Sequence, residues 1–290
     1  MENTGILRFP QVCKKVKFSL SLAKNCIFAG DILIHSGDFT NTGMLSEVED
    51  FDNWLGTLPH QHKLVVPGNH DSIMDPVVRK MVKNVELEVY DIEEVNKWDA
   101  LENDHQLLTN GHVLINRSVV IDGLKFFGSP HTMYNGQLAR WVHNRYVYSF
   151  GCTDESSIDQ EVFQPESKDC DILVTHSPPL GIADMTHSHR GSLAVRDAVL
   201  KINPALHIFG HVHPYGGNVF KLQDNPKNRE TISSAGYSGW WWARLKTTFV
   251  NAASLTLPGL SKYSGRPLPS EMLRRPVVID INTNTKHVVC

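Results

Sequence analysis

Four short apolar runs in this chain stop at the same kind of place, a turn that carries an aspartate, an asparagine or a histidine. The run from Asp31 ends at Gly37-Asp38. Lys63 to Val66 ends at Pro67-Gly68-Asn69-His70-Asp71. Cys170 to Thr175 ends at His176-Ser177-Pro178-Pro179, and Leu206 to Phe209 ends at Gly210-His211-Val212-His213. Short apolar runs bounded by turn residues predict strands buried on both faces, which is how parallel strands are buried in α/β sheets. Between them, Val48, Phe51, Leu55 and Leu58 recur at helical spacing over Ser46 to Leu58, with acids early. Leu193, Val199 and Leu200 do so over Ser192 to Ile202. Strand and helix alternate, so the chain reads as α/β.

The remaining segments fit that frame. Val16 to Leu22 alternates apolar and polar residues as a strand does. Val113 to Ile121 and Leu124 to Phe127 flank Asp122-Gly123, a hairpin turn signal. Residues 72–110 read as mixed helix and loop and 150–169 as loop. The tail returns to strand at Phe249 to Leu257 and Val277 to Ile281. No repeat or linker interrupts the pattern. Residues 16–285 therefore read as a single domain, with 1–15 as a variable N-terminal segment.

Composition narrows the function. With 41% hydrophobic and 20% charged residues over 290 positions the chain is not a disordered one, and its length allows a large core without covalent staples. A net charge of -3 advertises no polyanion-binding surface, so a nucleic acid is not expected as a structural partner. Five scattered cysteines (Cys13, Cys26, Cys152, Cys170, Cys290) form no C-x-x-C pair, which argues against a disulfide framework or a structural zinc site and for a reducing, cytoplasmic setting. No apolar stretch approaches the ~20 residues that cross a bilayer, so no membrane partner is expected. Phe18 to Ala29 imitates a signal peptide, but Lys24 and Asn25 interrupt it.

In α/β sheets, sites form beyond the carboxyl ends of the strands, where side chains from distant sequence positions converge. By this rule the segments suited to hold a metal are Gly37-Asp38, Gly68-Asn69-His70-Asp71, Thr175-His176 and Gly210-His211-Val212-His213. Their mixed oxygen and imidazole donors suit Mn, Fe, Zn or Mg. Glycine ahead of three of the motifs permits tight turns and close approach. Alternation in His211-Val212-His213 is natural at a strand end, with both rings on one side. His35, inside an apolar strand, reads as structural. His187 and His189 read as loop residues, Trp240-Trp241-Trp242 as a partly buried insertion, and Arg140 with Trp141 as a lid candidate.

On Gly37-Asp38, Gly68-Asn69-His70-Asp71, His176 and Gly210-His211-Val212-His213, the chain resembles the calcineurin-like metallophosphoesterases. The closer likeness is to the small animal metallophosphoesterase-domain proteins of brain, through Gly30 to Thr40 and Asp171 to Gly181. The resemblance implies a four-layer sandwich of two mixed β-sheets flanked by helices. It implies two divalent metals bridged by Asp38, the second also held by Asn69, His176 and His211 and the first by His213 with an Asp-x-His pair from the first strand. It further implies hydrolysis of phosphodiesters or phosphomonoesters, cyclic nucleotides among them, by a metal-bound hydroxide. His70 would stabilise the transition state or protonate the leaving oxygen, and Asp71 would orient the His70 ring. The partner implied is a small phosphoester or nucleotide substrate. Protein phosphatases with Gly-Asp-x-Val-Asp-Arg-Gly are set aside, because this chain reads Gly37-Asp38-Phe39-Thr40-Asn41.

The pattern breaks at one point. Where Asp-x-His belongs, the chain reads Ser21-Leu22-Ala23-Lys24-Asn25. One metal site is therefore expected to be well liganded and the other depleted. Two readings follow: a phosphoesterase with impaired activity, or a catalytically weak or inactive relative that binds nucleotide or a protein partner.

Overall fold

The apolar runs become strands whose two faces meet different neighbours. In this computed structural model the described residues are 13–18, 30–85, 96, 108–133, 149–152, 163, 167–184, 189–221, 245–253 and 277–288. In chain order they form β1 (Cys13–Phe18), β2 (Ile32–His35), α1 (Leu45–Gly56), β3 (His62–Val65), a 3-10 turn (Ser72–Met74), α2 (Pro76–Val85), β4 (His112–Val113), β5 (Arg117–Ile121), β6 (Leu124–Ser129), β7 (Thr132–Met133) and β8 (Gly151–Cys152). There follow β9 (Ile172–Thr175), α3 (Leu193–Ile202), β10 (Leu206–Phe209), a second 3-10 turn (His213–Tyr215), β11 (Asn218–Lys221), β12 (Thr248–Asn251), β13 (Val278–Asn282) and β14 (His287–Val288).

Two six-stranded sheets result. The first runs β14-β13-β1-β2-β3-β4 and the second β11-β12-β10-β9-β6-β5. In the first, β1, β2, β3 and β4 are mutually parallel and β13 is antiparallel to β1. In the second, β6, β9, β10 and β12 are parallel, with β5 and β11 antiparallel at the edges. Period two then sorts the side chains. Ile32, Ile34 and Leu64 of the first sheet meet Phe126, Ile172, Val174, Leu206 and Ile208 of the second in one buried cluster. Leu33 and Val65 face the other way, onto Val48, Phe51 and Leu55 of α1. Leu173, Phe209 and Phe249 pack on Ala194, Val195 and Val199 of α3. Helix, sheet, sheet and helix are thus the four layers of a mixed α/β sandwich.

The helices begin where the sequence provides caps. The Ser192 hydroxyl accepts from the Val195 amide at 3.1 Å, and Asn203 closes α3 in the left-handed conformation at φ 50°. In the first turn of α1, Glu47 gathers the amides of Asn41 (3.0 Å), Thr42 (3.0 Å) and Met44 (3.1 Å). That carboxylate pins the loop following Asp38.

Three boundaries differ from the sequence reading. The first strand begins at Cys13 and not at Val16. Val113 to Ile121 is not one strand. β4 pairs in parallel with β3 in the first sheet, Asn116 turns at φ 53°, and β5 crosses to the second sheet, where it forms the expected hairpin with β6 around Asp122 and Gly123. The strand expected over Phe249 to Leu257 is β12, which runs from Thr248 to Asn251. The segments Ser21 to Asn25, His187, Trp240 to Trp242, and Arg140 with Trp141 lie outside the described residues.

His207, on β10, is fully buried beside the rings of Phe209 and Phe249, at centroid distances of 5.1 and 5.8 Å, and burial pushes its imidazole down to about 3. The unfolded chain takes up a proton near pH 6.5 that the folded chain refuses until about pH 3. This contribution to stability is complete above that upper value and drains away as pH falls through the window. His207→Gln is therefore expected to lower the slope of stability against pH by about 1.4 kcal/mol per unit between about pH 4 and 6, read by urea denaturation at a series of pH values. Parallel slopes for parent and variant would contradict the assignment.

Candidate metal centre

The sandwich brings the ends of β2, β3, β9 and β10 to one edge, and the turns beyond them bend sharply. Gly37 sits at φ 96°, Asp38 at 58° and His211 at 63°. Space requires glycine at Gly37 and at Gly68, in the turn after β3. A Cβ on Gly37 would strike His176 Nδ1 and lie 2.7 Å from the Gly68 backbone. One on Gly68 would strike Asp38 Oδ1 and lie 2.5 Å from both the Asp38 nitrogen and His176 Cε1. The two glycines let two strand ends touch, and the donor groups close around them.

Asp38, His176 and His211 each offer a ligand atom within 4.8 Å of the others. The rings of His176 and His211 are 5.0 Å apart, centroid to centroid. Buried Asn69 joins them, its Oδ1 3.0 Å from His176 Nε2, and Asp38 Oδ2 is 3.4 Å from the same nitrogen. His176 Nδ1 lies 2.8 Å from the Ser36 carbonyl, which can only accept, so Nδ1 carries the proton. A neutral His176 then aims a lone pair at two oxygen acceptors. Acceptor against acceptor is repulsive unless a proton or a cation stands between them. Ligands bound at about 2.0–2.2 Å to one ion lie no more than about 4.4 Å apart, close to the spread found here. The donor set fits a divalent cation, with the Ser36 carbonyl orienting the imidazole from behind.

The charges agree. Burial opposes ionisation of Asp38, but the imidazoles of His176, His70 and His211 outweigh it and hold its carboxyl well below the usual range. Burial likewise works against a proton on His176, and Asp38 overcomes it, moving that imidazole upward. Burial and the neighbouring His176 push His211 down to about 3.

His213 is outside the close set. β10 ends at Phe209, and the expected alternation of His211 and His213 along a strand is replaced by a left-handed turn and then the 3-10 turn that His213 opens. Asp71 also behaves differently from expectation. Its Oδ2 accepts from the amides of Asp38 (2.9 Å) and Gly68 (2.7 Å), and its Oδ1 from the Thr40 amide (2.8 Å) and hydroxyl (2.9 Å). None of these donors is the His70 ring, whose Nδ1 lies 3.1 Å from the Asn41 carbonyl. The expected Asp71–His70 hydrogen bond is absent because loop amides already take the carboxylate. Asp71 locks the two loops instead. Burial, followed by the Asp38 charge, pushes Asp71 up to about 7. His70 is held by its own amide, which donates to Asp38 Oδ1 at 3.0 Å.

Outside the cluster, His35 is buried, accepts from the Gly37 amide at 3.2 Å and packs edge-on against Phe39 and Phe51, as a structural residue would. His189 Nδ1 is 2.9 Å from a carboxylate oxygen of buried Asp184, which also accepts from the amides of Gly181 and Gly191. The sequence reading missed Asn251. Its amide donates to the carbonyls of Val212 (2.9 Å) and Ala183 (3.4 Å), tying the His211 loop to the loop after β9. The rule that found the other residues, a donor-bearing residue at the end of an apolar strand, finds this one too. A cavity of about 540 Å³ lies at the opposite end of the second sheet, among Asp171, Ala205, Thr248 and Lys286, and shares no residue with the cluster.

A family model described as Calcineurin-like phosphoesterase matches residues 10–215, and the chain belongs to that family of metal-dependent phosphoesterases. Among curated proteins, the chain is 34% identical over 191 residues to Metallophosphoesterase domain-containing protein 1 of Homo sapiens, covering 63% of this chain and 54% of that one. It is also 34% identical over 189 residues to UPF0046 protein K07C11.7 of Caenorhabditis elegans, covering 65% and 58%. The match thus spans little more than half the length of either relative. A solved crystal structure superposes with a TM-score of 0.53 at 14% identity, covering 96% of this chain and 98% of that one, a likeness of fold. No helix among the described residues is long and apolar enough to cross a membrane.

Because a Cβ at Gly68 would meet Asp38 and His176 together, Gly68→Ala is expected to weaken Mn(II) binding at least tenfold while far-UV circular dichroism is unchanged. Unaltered affinity by isothermal titration would show that the two loops need not touch.

Proposed function

We infer that the chain hydrolyses small phosphoesters, phosphodiesters or phosphomonoesters, with cyclic nucleotides among the candidate substrates, at the centre formed by Asp38, Asn69, His176 and His211. The observation that carries this reading is the convergence of one carboxylate and two imidazoles within 4.8 Å, with His70 suspended from Asp38 through its backbone amide. A divalent cation in that donor set would polarise a phosphoryl oxygen and acidify a water molecule.

The chain's own residues do the rest. Asp38 supplies the anionic ligand, and its second oxygen fixes the His70 backbone. His176 presents Nε2 because the Ser36 carbonyl holds its other nitrogen. With Nδ1–H given to the Asn41 carbonyl, His70 exchanges protons through Nε2, as a group must that protonates a leaving oxygen or donates to a developing oxyanion. Asp71 keeps the Asp38 and Gly68 loops in register so that these groups meet. His213 is the residue at hand for a second ion, and its partner pair is the one replaced by Ala23-Lys24-Asn25.

That replacement supports a second reading, a weak or inactive relative that retains one cation and binds nucleotide or a protein partner. Metal content separates the two. Two equivalents of Mn per chain by native mass spectrometry, with turnover of a chromogenic diester, support the enzyme; one equivalent or none without turnover supports the binder. Under the enzyme reading, His70→Ala is expected to lower turnover by about 10²–10⁴-fold with metal content unchanged. A variant that retains full turnover would remove His70 from the mechanism.

A further inference from the structure

The second sheet contains a buried polar chain that the proposed chemistry does not use. Thr175 ends β9 immediately before His176, and its Oγ1 lies 2.6 Å from the Ser177 carbonyl and 2.9 Å from His207 Nε2. All three residues are fully buried. The carbonyl can only accept, so the single hydroxyl proton goes there. His207 must then donate Nε2–H to the Thr175 oxygen. Its other nitrogen, Nδ1, has no hydrogen-bond partner and lies among Phe209 and Phe249. An apolar ring would suit that face better, since a buried acceptor without a donor is unfavourable. What an apolar ring cannot supply is the proton on Nε2.

The chain of donors runs from His207 through Thr175 to Ser177, and so bridges the backbone on both sides of His176. The His176 amide donates to the Ser129 carbonyl at 3.2 Å, and its own carbonyl accepts from the Gly210 amide at 2.9 Å. The turn at His176 is thereby fixed from β6 on one side and from β10 on the other. β10 is also the strand that delivers His211, and one strand thus holds both imidazoles at their 5.0 Å spacing.

We propose that His207 is a positioning residue for the metal ligand His176, acting through the Thr175 hydroxyl to set the separation of His176 and His211, and hence the affinity of the centre for its cation. The proposal rests on the reading of the cluster as a metal centre. Outer partners of metal ligands change affinity by about 10–100-fold when removed.

The test is titration of the metal-free full chain with Mn(II) by isothermal calorimetry, with thermal unfolding of each metal-free variant as the control. Thr175→Val keeps the shape and loses the hydroxyl, leaving His207 Nε2–H and the Ser177 carbonyl without their partner; its metal-free midpoint is expected to fall with unfolding still cooperative, and its Mn(II) affinity to weaken about 10–100-fold. Thr175→Ser, which keeps the hydroxyl, should bind within a few-fold of the parent. His207→Phe should weaken binding to the same extent as Thr175→Val, and His207→Gln, whose amide can donate from near the Nε2 position, should restore it. If His207→Phe fails to fold, the Thr175 pair decides. Equal Mn(II) affinity in parent and Thr175→Val overturns the proposal and leaves the metal centre standing. A parent chain that binds no Mn(II) overturns the metal centre and the proposal together.

Discussion

The site depends on two strand ends being able to touch. Gly37 and Gly68 pack so closely that a Cβ on the first would lie 2.7 Å from the backbone of the second. Close packing of this kind is unforgiving, because a filled interior offers a new methyl group nowhere to go. Asp38 and Asn69 follow directly after these glycines, so the separation of the ligands is set by backbone contact. The left-handed turn at Asp38 is the local cost of this arrangement. The Asp71 carboxylate offsets it by taking amides from both loops, those of Asp38 and Thr40 on one and Gly68 on the other.

The sheets supply the other half of the constraint. Because β2, β3, β9 and β10 are parallel within their sheets, their carboxyl ends emerge on one edge. The shared inter-sheet core of Ile34, Leu64, Val174 and Ile208 holds the two edges together. Each strand has an apolar inner face, and on the outer face a place for a helix. His207 interrupts that outer face with a polar ring, and β10 carries it four residues ahead of His211. A core and a metal centre built on the same strands cannot be varied independently.

Much of this was legible in the sequence. Strand ends followed by Gly37-Asp38, Gly68-Asn69, Thr175-His176 and Gly210-His211 marked the cluster because period, turn and donor type are all local properties. Asp71 was misread because a carboxylate beside a histidine in sequence does not reveal which donors reach it. Its partners are amides 3, 31 and 33 residues away. The pairing of Val113 to Ile121 was misread for a similar reason. Its alternation is continuous, whereas the left-handed residue Asn116, which sends the chain from one sheet to the other, has no signature in hydrophobic period. His213 was grouped with His211 on strand geometry that ends at Phe209.

The electrostatics of the cluster tie these parts together. Two carboxylates, Asp38 and Asp71, share one loop pair, and burial, followed by the charge on the first, pushes the second up to about 7. Asp38 stays ionised because imidazoles surround it, and it draws a proton onto His176. A proton on His176 Nε2 would stand where the positive charge of a cation is needed. A divalent ion held by Asp38, His176 and His211 would replace that charge, and the proton on His176 Nε2 would have to leave, because a ligand offers its lone pair. The same positive charge would relieve the repulsion between the two carboxylates, so Asp71 would give up its proton more easily and accept its three amides as an anion, with stronger hydrogen bonds. Cation binding and the stiffness of the loops that present Asn69 and His70 would in this way be one equilibrium, since the carboxylate that would respond to the cation is the one that fastens those loops.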